Sequence, residues 1–215
     1  MDPSHARRYT NAEIDRMVVD ILAEGFPDGI RIPVDIDRLV YRHNLVDDIA
    51  PAELLEDKFN VAAVLISKPD GRFDILVDEE TFDSHRFRAN FSIAHEFGHI
   101  VLHSQVCSNC RTVEDAIALR RRIENSYDFI ERNANYFAGA ILMPVRTLPE
   151  DTARVYEALV KKYGYDTDLI PDKLCSTLAR RYEVSLQPMS IRLKELGLTK
   201  KILAALRSSS PYLDP

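Results

Sequence analysis

His95-Glu96-Phe97-Gly98-His99 sets two imidazoles and one carboxylate at the spacing that binds a divalent cation and moves a proton beside it. On an α-helix, positions four apart share a face one turn from each other, so His95 and His99 can hold one tetrahedral ion together. Glu96 points about 100° away around the same helix, which disfavours it as a ligand. It suits a general base, taking a proton from a water whose pKa the cation lowers to roughly 7. Phe91, Ile93, Ala94, Phe97, Ile100, Val101 and Leu102 surround the motif and predict a buried helix. A carboxylate in that setting is costly unless it is paired or works near a metal.

Two histidines do not complete a hydrolytic site, which needs a third protein ligand and an open fourth position. The form that takes a further histidine ten residues after the first is excluded, because that position is Gln105. A second helix can supply a glutamate instead. Between Tyr127 and Pro144, residues Phe129, Ile130, Ala134, Phe137, Ala138, Ile141 and Leu142 make an apolar face with Glu131 and Asn135 at its edge. Glu131 is the candidate third ligand, with an exposed glutamate on an amphipathic helix as the alternative; Asn135, one turn on, could orient a histidine ring.

The run Arg86 to His99, followed by Glu131-x-x-Ala134-Asn135-x-Phe137-Ala138 and Leu142-Met143-Pro144, resembles the ImmA/IrrE family of metallopeptidases. The resemblance covers roughly residues 10 to 200. It implies that His95, His99 and Glu131 hold the metal and that Glu96 is the general base. At the position before Ala134, where many members carry a second glutamate, this chain has Asn133. Glu131 and Asn135 keep a four-residue relation that resembles the Glu-x-x-x-Asp of thermolysin-like enzymes. The implied activity is a zinc-dependent endopeptidase whose substrate is a helix-turn-helix transcriptional repressor, cut to relieve repression of mobile-element or stress genes. The alternative is a regulatory module that binds and sequesters such a repressor without cutting it. Two histidines and a carboxylate suit Zn2+ and also accommodate Mn2+.

These residues need a scaffold. Thr10 to Glu13 reads as a capping box ahead of a helical stripe of Ile14, Met17, Val18, Ile21 and Leu22, and Asp35 as the cap of a second helix. Residues 59–67 and 72–77 flank Lys68-Pro69-Asp70-Gly71 and predict a β-hairpin. By analogy with zincin-like enzymes, such a strand would hold an extended peptide by edge pairing. The expected fold is α+β: a mostly helical, zincin-like peptidase with a small antiparallel β-sheet over residues 1–165. A C-terminal helix-turn-helix-like segment, residues 166–215, packs on it.

Of the 215 residues, 46% are hydrophobic and 29% charged, with a net charge of −6 and no apolar run long enough to span a bilayer. Met1 to Arg8 is polar and lacks the core of a signal peptide, which reads as cytoplasmic. Residues 173–207 hold eight Lys/Arg against two Asp/Glu, yet offer chiefly Gln187, Arg192 and Lys194 for reading bases, so packing or partner docking is favoured over DNA contact. His103, Cys107 and Cys110 have a spacing open to a structural metal or a redox pair, with loop thiols as the simpler reading. Arg86 and Arg88 are either surface charges or partners of a buried acid. Arg120-Arg121-Arg122 reads as a solvated face. Tyr136 and His103 are the candidates for an oxyanion donor. Oligomeric state is not encoded in any stretch of the chain.

Overall fold

The computed structural model describes Pro3 and residues 6–209; Met1, Asp2, Ser4 and His5 of the polar start lie outside the described residues. The chain forms two compact units, Met1–Leu142 and Met143–Pro215.

In the first unit, α1 (Asn11–Gly25) starts on the expected capping box: Thr10 accepts the Glu13 amide and the Glu13 side chain accepts from the Thr10 amide. The cap leaves Ile14, Val18 and Leu22 on one buried stripe. Asp35 caps α2 (Ile36–Arg42) through the Arg38 amide at 3.0 Å. The hairpin is also present. β2 (Ala63–Ser67) and β3 (Phe73–Asp78) pair antiparallel around a turn in which Gly71 takes φ +86°, a conformation that costs glycine little.

The sheet is nevertheless mixed, because β1 (Val46–Ala52) joins the other edge of β3 in parallel. Val-Asp-Asp-Ile-Ala-Pro-Ala lacks the apolar alternation of a recognisable strand, and its Pro51 is tolerated where no ladder hydrogen bond is required. Phe59, the first residue of the expected strand, instead ends the short helix α3 (Leu55–Phe59), and the strand itself starts at Ala63. The acidic stretch at 78–80 is a helix start: buried Asp78 caps α4 (Glu79–Ser84), accepting the Thr81 amide, and also accepts the Glu56 amide at 3.0 Å.

The scaffold is organised on α5 (Arg86–Cys107), which packs along α7 (Asp128–Leu142) and across β2 and β3. Its backbone leaves helical geometry at His103 (φ −139°, ψ 25°), so the helix kinks there rather than ending. Arg86 pairs with Asp37 and Arg88 with Glu56, each at 2.6 Å. All four side chains are about a third or more exposed, so these are surface pairs worth about 0–1 kcal/mol each rather than buried ones. Between α5 and α7 runs α6 (Val113–Ser126), capped by a second box at Thr112 and Asp115.

The second unit is helical: α8 (Leu148–Tyr163), α9 (Leu169–Arg181), α10 (Leu186–Glu195) and α11 (Leu198–Ser209). Asp151 is buried and accepts from Arg181 Nε at 2.7 Å and Tyr182 Oη at 2.9 Å, tying α8 to the end of α9. The turn into α10 passes through Glu183 at φ +50°. Arg192, a candidate base reader by sequence, is 1% exposed and donates to the Met143 carbonyl, so its guanidinium is spent inside the unit. No helix among the described residues is long and apolar enough to cross a membrane.

Candidate metal centre

α5 presents His95 and His99 toward α7, and α7 returns Glu131 between them. The two Nε2 atoms lie 3.1 Å apart, and the Glu131 carboxylate oxygens lie 3.3 Å from His95 Nε2 and 3.5 Å from His99 Nε2. Ligands about 2.0–2.1 Å from a tetrahedral cation are themselves about 3.3–3.4 Å apart, and three donor atoms here approach that triangle. Among the described residues, these three form the group of His, Cys, Asp and Glu side chains close enough to share an ion. The donor set therefore fits a divalent cation.

The close approach of α5 and α7 has a residue-level cause. A Cβ on Gly98 would sit 3.1 Å from Phe137 Cδ1 and 3.2 Å from both Cα and O of Ala134. Glycine facing alanine thus lets the two backbones come together, which brings Glu131 within reach of the histidines. Phe97 wedges edge-on between His43 and Phe137, with centroids 5.2 and 5.7 Å away, and fixes the helix from its opposite side.

Outside the triangle, His95 Nδ1 lies 3.1 Å from Asn135 Oδ1. An amide oxygen only accepts, so Nδ1 carries the proton and Nε2 keeps its lone pair for the centre. Asn133 takes no part in the triangle. Its side chain exchanges two hydrogen bonds with the Tyr9 backbone, at 3.0 and 3.3 Å, and so fastens the segment before α1 onto α7.

Burial pushes the Glu96 carboxyl up, and the charges of His95 and His99 pull it back only in part. Burial would raise Glu131 too, but its hydrogen bonds to His95 and His99 and their charges outweigh this and hold it well below the usual carboxylate range. His99 moves the opposite way: burial lowers it, and the Glu131 contact raises it further than burial lowers. Glu131 is thus kept as an anion, the form a ligand needs, while Glu96 is the more easily protonated of the two acids.

All four side chains line one cavity of about 40 Å³, together with Ala63, Val64 and Leu65 of β2, Cys107 and Cys110, and a stripe of α6. That volume has room for a few waters and none for a peptide residue. The cysteines are free and buried, and burial pushes Cys110 up to about 11 and Cys107 well above the usual thiol value, which leaves both as unreactive thiols near neutral pH. Neither oxyanion candidate faces the cavity. Tyr136 Oη donates to Asp15 Oδ2 at 2.8 Å, and His103 is buried at the kink, edge-on to Tyr9.

A residue the sequence reading passed over does face it. Ala116, Leu119, Arg120 and Ile123 form the α6 stripe on the cavity, while Arg121 and Arg122 are exposed. The signal was the three- and four-residue helical spacing of Ala116, Leu119 and Ile123, hidden by three consecutive arginines.

The family model described as the IrrE N-terminal-like domain, a peptidase family, matches residues 75–194, more than half of the chain and all of the triangle. The chain belongs to this family. Its match to a family of metallopeptidases makes a protein the class of substrate. In this IrrE-like chain α1, α2, β1, α3 and β2 lie before the matched region, and β2 nevertheless lines the cavity. No curated protein matches the chain.

Proposed function

We propose that the protein is a zinc-dependent endopeptidase that cuts a helix-turn-helix transcriptional repressor, with His95, His99 and Glu131 holding the metal and Glu96 acting as general base. The observation that carries the reading is the triangle of ligand atoms at 3.1–3.5 Å with a buried glutamate next to it in sequence. Zinc, when bound, supplies the Lewis acidity that polarises a peptide carbonyl and lowers the pKa of a water; manganese fits the same donors.

The chain's own residues do the rest. Asn135 holds the His95 ring in the tautomer that leaves Nε2 free. A carboxylate oxygen of Glu96 takes a proton from the attacking water as the new C–O bond forms, then delivers it to the amide nitrogen as the C–N bond breaks. Burial raises the Glu96 carboxyl above its usual range, which strengthens it as a base for the water's proton. β2 pairs only with β3 among the described strands, and its Ala63–Leu65 stretch lines the cavity. This supports docking of an extended substrate segment by edge pairing, with α6 giving way to admit it. The repressor substrate is what the sequence resemblance implies, and a cytoplasmic location is the reading of the polar stretch Met1 to Arg8.

The test incubates the metal-assayed protein with the repressor encoded beside its gene and maps any new termini by mass spectrometry. A single discrete cut that disappears with chelator supports the proposal. A stable complex with no cut under either zinc or manganese moves the reading to sequestration.

A further inference from the structure

Amide hydrolysis puts negative charge on the carbonyl oxygen, and a site that accelerates it places a donor or cation where that charge appears. Apart from the triangle and Glu96, the cavity wall is made of Ala63, Val64, Leu65, Ala116, Leu119, Ile123 and two protonated thiols, none a strong side-chain donor. The exception is Arg120. It sits on the inner stripe of α6, and its Nε is fixed by Glu124 at 3.0 Å, one turn along the same helix. Its two Nη groups have no hydrogen-bond partner among the described residues. The guanidinium is thus held through Nε, and its side chain is 36% exposed, which leaves both Nη groups able to donate.

We infer that Arg120 binds the carbonyl oxygen of the substrate and stabilises the charge that develops on it, an assignment that rests on the peptidase reading. Charge accounting agrees. When Glu96 takes the proton of the attacking water, its negative charge passes to the carbonyl oxygen, and a guanidinium on the α6 side of the cavity is a cation available to meet it there. The field of Arg120 reaches both acids: it stabilises ionised Glu96, and Glu131 in turn stabilises the guanidinium. Because Arg120 rides on α6, closure of that helix over a bound peptide would also deliver the donor.

The test uses an oxyanion mimic and therefore does not depend on finding the substrate. Zinc-loaded wild type, Arg120→Ala and Arg120→Lys are titrated calorimetrically with N-phosphoryl-leucinamide, whose tetrahedral phosphoryl group carries the charge, and with acetohydroxamate, which needs only the metal. The expected result is 10- to 100-fold weaker phosphoramidate binding by Arg120→Ala and partial recovery in Arg120→Lys. Hydroxamate affinity and zinc affinity should stay within about twofold. Wild-type phosphoramidate binding no tighter than that of Arg120→Ala overturns the assignment. So does an equal loss for the hydroxamate or for zinc, which would make Arg120 a structural residue. Failure of the peptidase reading would show elsewhere, as intact repressor alongside normal metal and phosphoramidate binding.

Discussion

The two candidate histidine ligands are held differently. His95 is oriented by a hydrogen bond to Asn135, whereas His99 Nδ1 is buried and has no hydrogen-bond partner among the described residues, leaving packing against its neighbours to fix that ring. Asn135→Ala should therefore weaken zinc binding by roughly 10- to 100-fold, as measured by competition with a chromogenic chelator, because it removes the one side-chain bond that selects a ligand tautomer. His103 makes a different kind of prediction. Burial lowers its pKa to about 4, helped by the charge of His99, so the folded state prefers the neutral ring. A base with a depressed folded pKa contributes stability that is full above the unfolded value near 6.5 and is lost as pH falls toward 4. Urea unfolding at pH 4.5 and pH 7 should show a smaller pH dependence for His103→Gln than for wild type; equal slopes would contradict the assignment.

At the scale of elements, the contact of α5 with α7 sets the site, and its narrowest point is Gly98 against Ala134. Gly98→Ala should cost about 1–3 kcal/mol of stability, read by chemical denaturation, because backbone atoms at 3.2 Å cannot rotate away. It should also weaken metal binding, since the helices must part where Glu131 reaches across. Much of this architecture could be read in advance, where local chemistry decides: the Thr10–Glu13 box, the Asp35 cap, the turn at Gly71 and the Glu131/Asn135 spacing each act within a few residues. What stayed hidden depends on distant partners. β1 is a strand only because β3 offers it a parallel edge, and its acidic, proline-bearing sequence carries no alternation of its own. At the kink, His103 packs edge-on against Tyr9 and Phe129, residues far away in sequence. Arg120 was obscured by its charged neighbours, since composition does not tell which of three adjacent arginines faces inward.

For the whole molecule, a metal that binds the folded centre and not the unfolded chain stabilises by mass action. Zinc at about 100 times its dissociation constant is worth about 2.7 kcal/mol, so stripping it should lower the melting temperature by about 5–10 °C in a scanning calorimeter. The exposed 164–168 stretch between α8 and α9 should be the first site of limited proteolysis, mapped by mass spectrometry of the fragments. The central claim is that one cation sits on His95, His99 and Glu131 and that Glu96 moves the proton beside it. The most direct measurement compares zinc stoichiometry and repressor cleavage in wild type and Glu96→Gln. The account predicts about one equivalent of zinc in both, with cleavage by the variant slowed by 10²-fold or more. Cleavage by Glu96→Gln at the wild-type rate with zinc retained would contradict it.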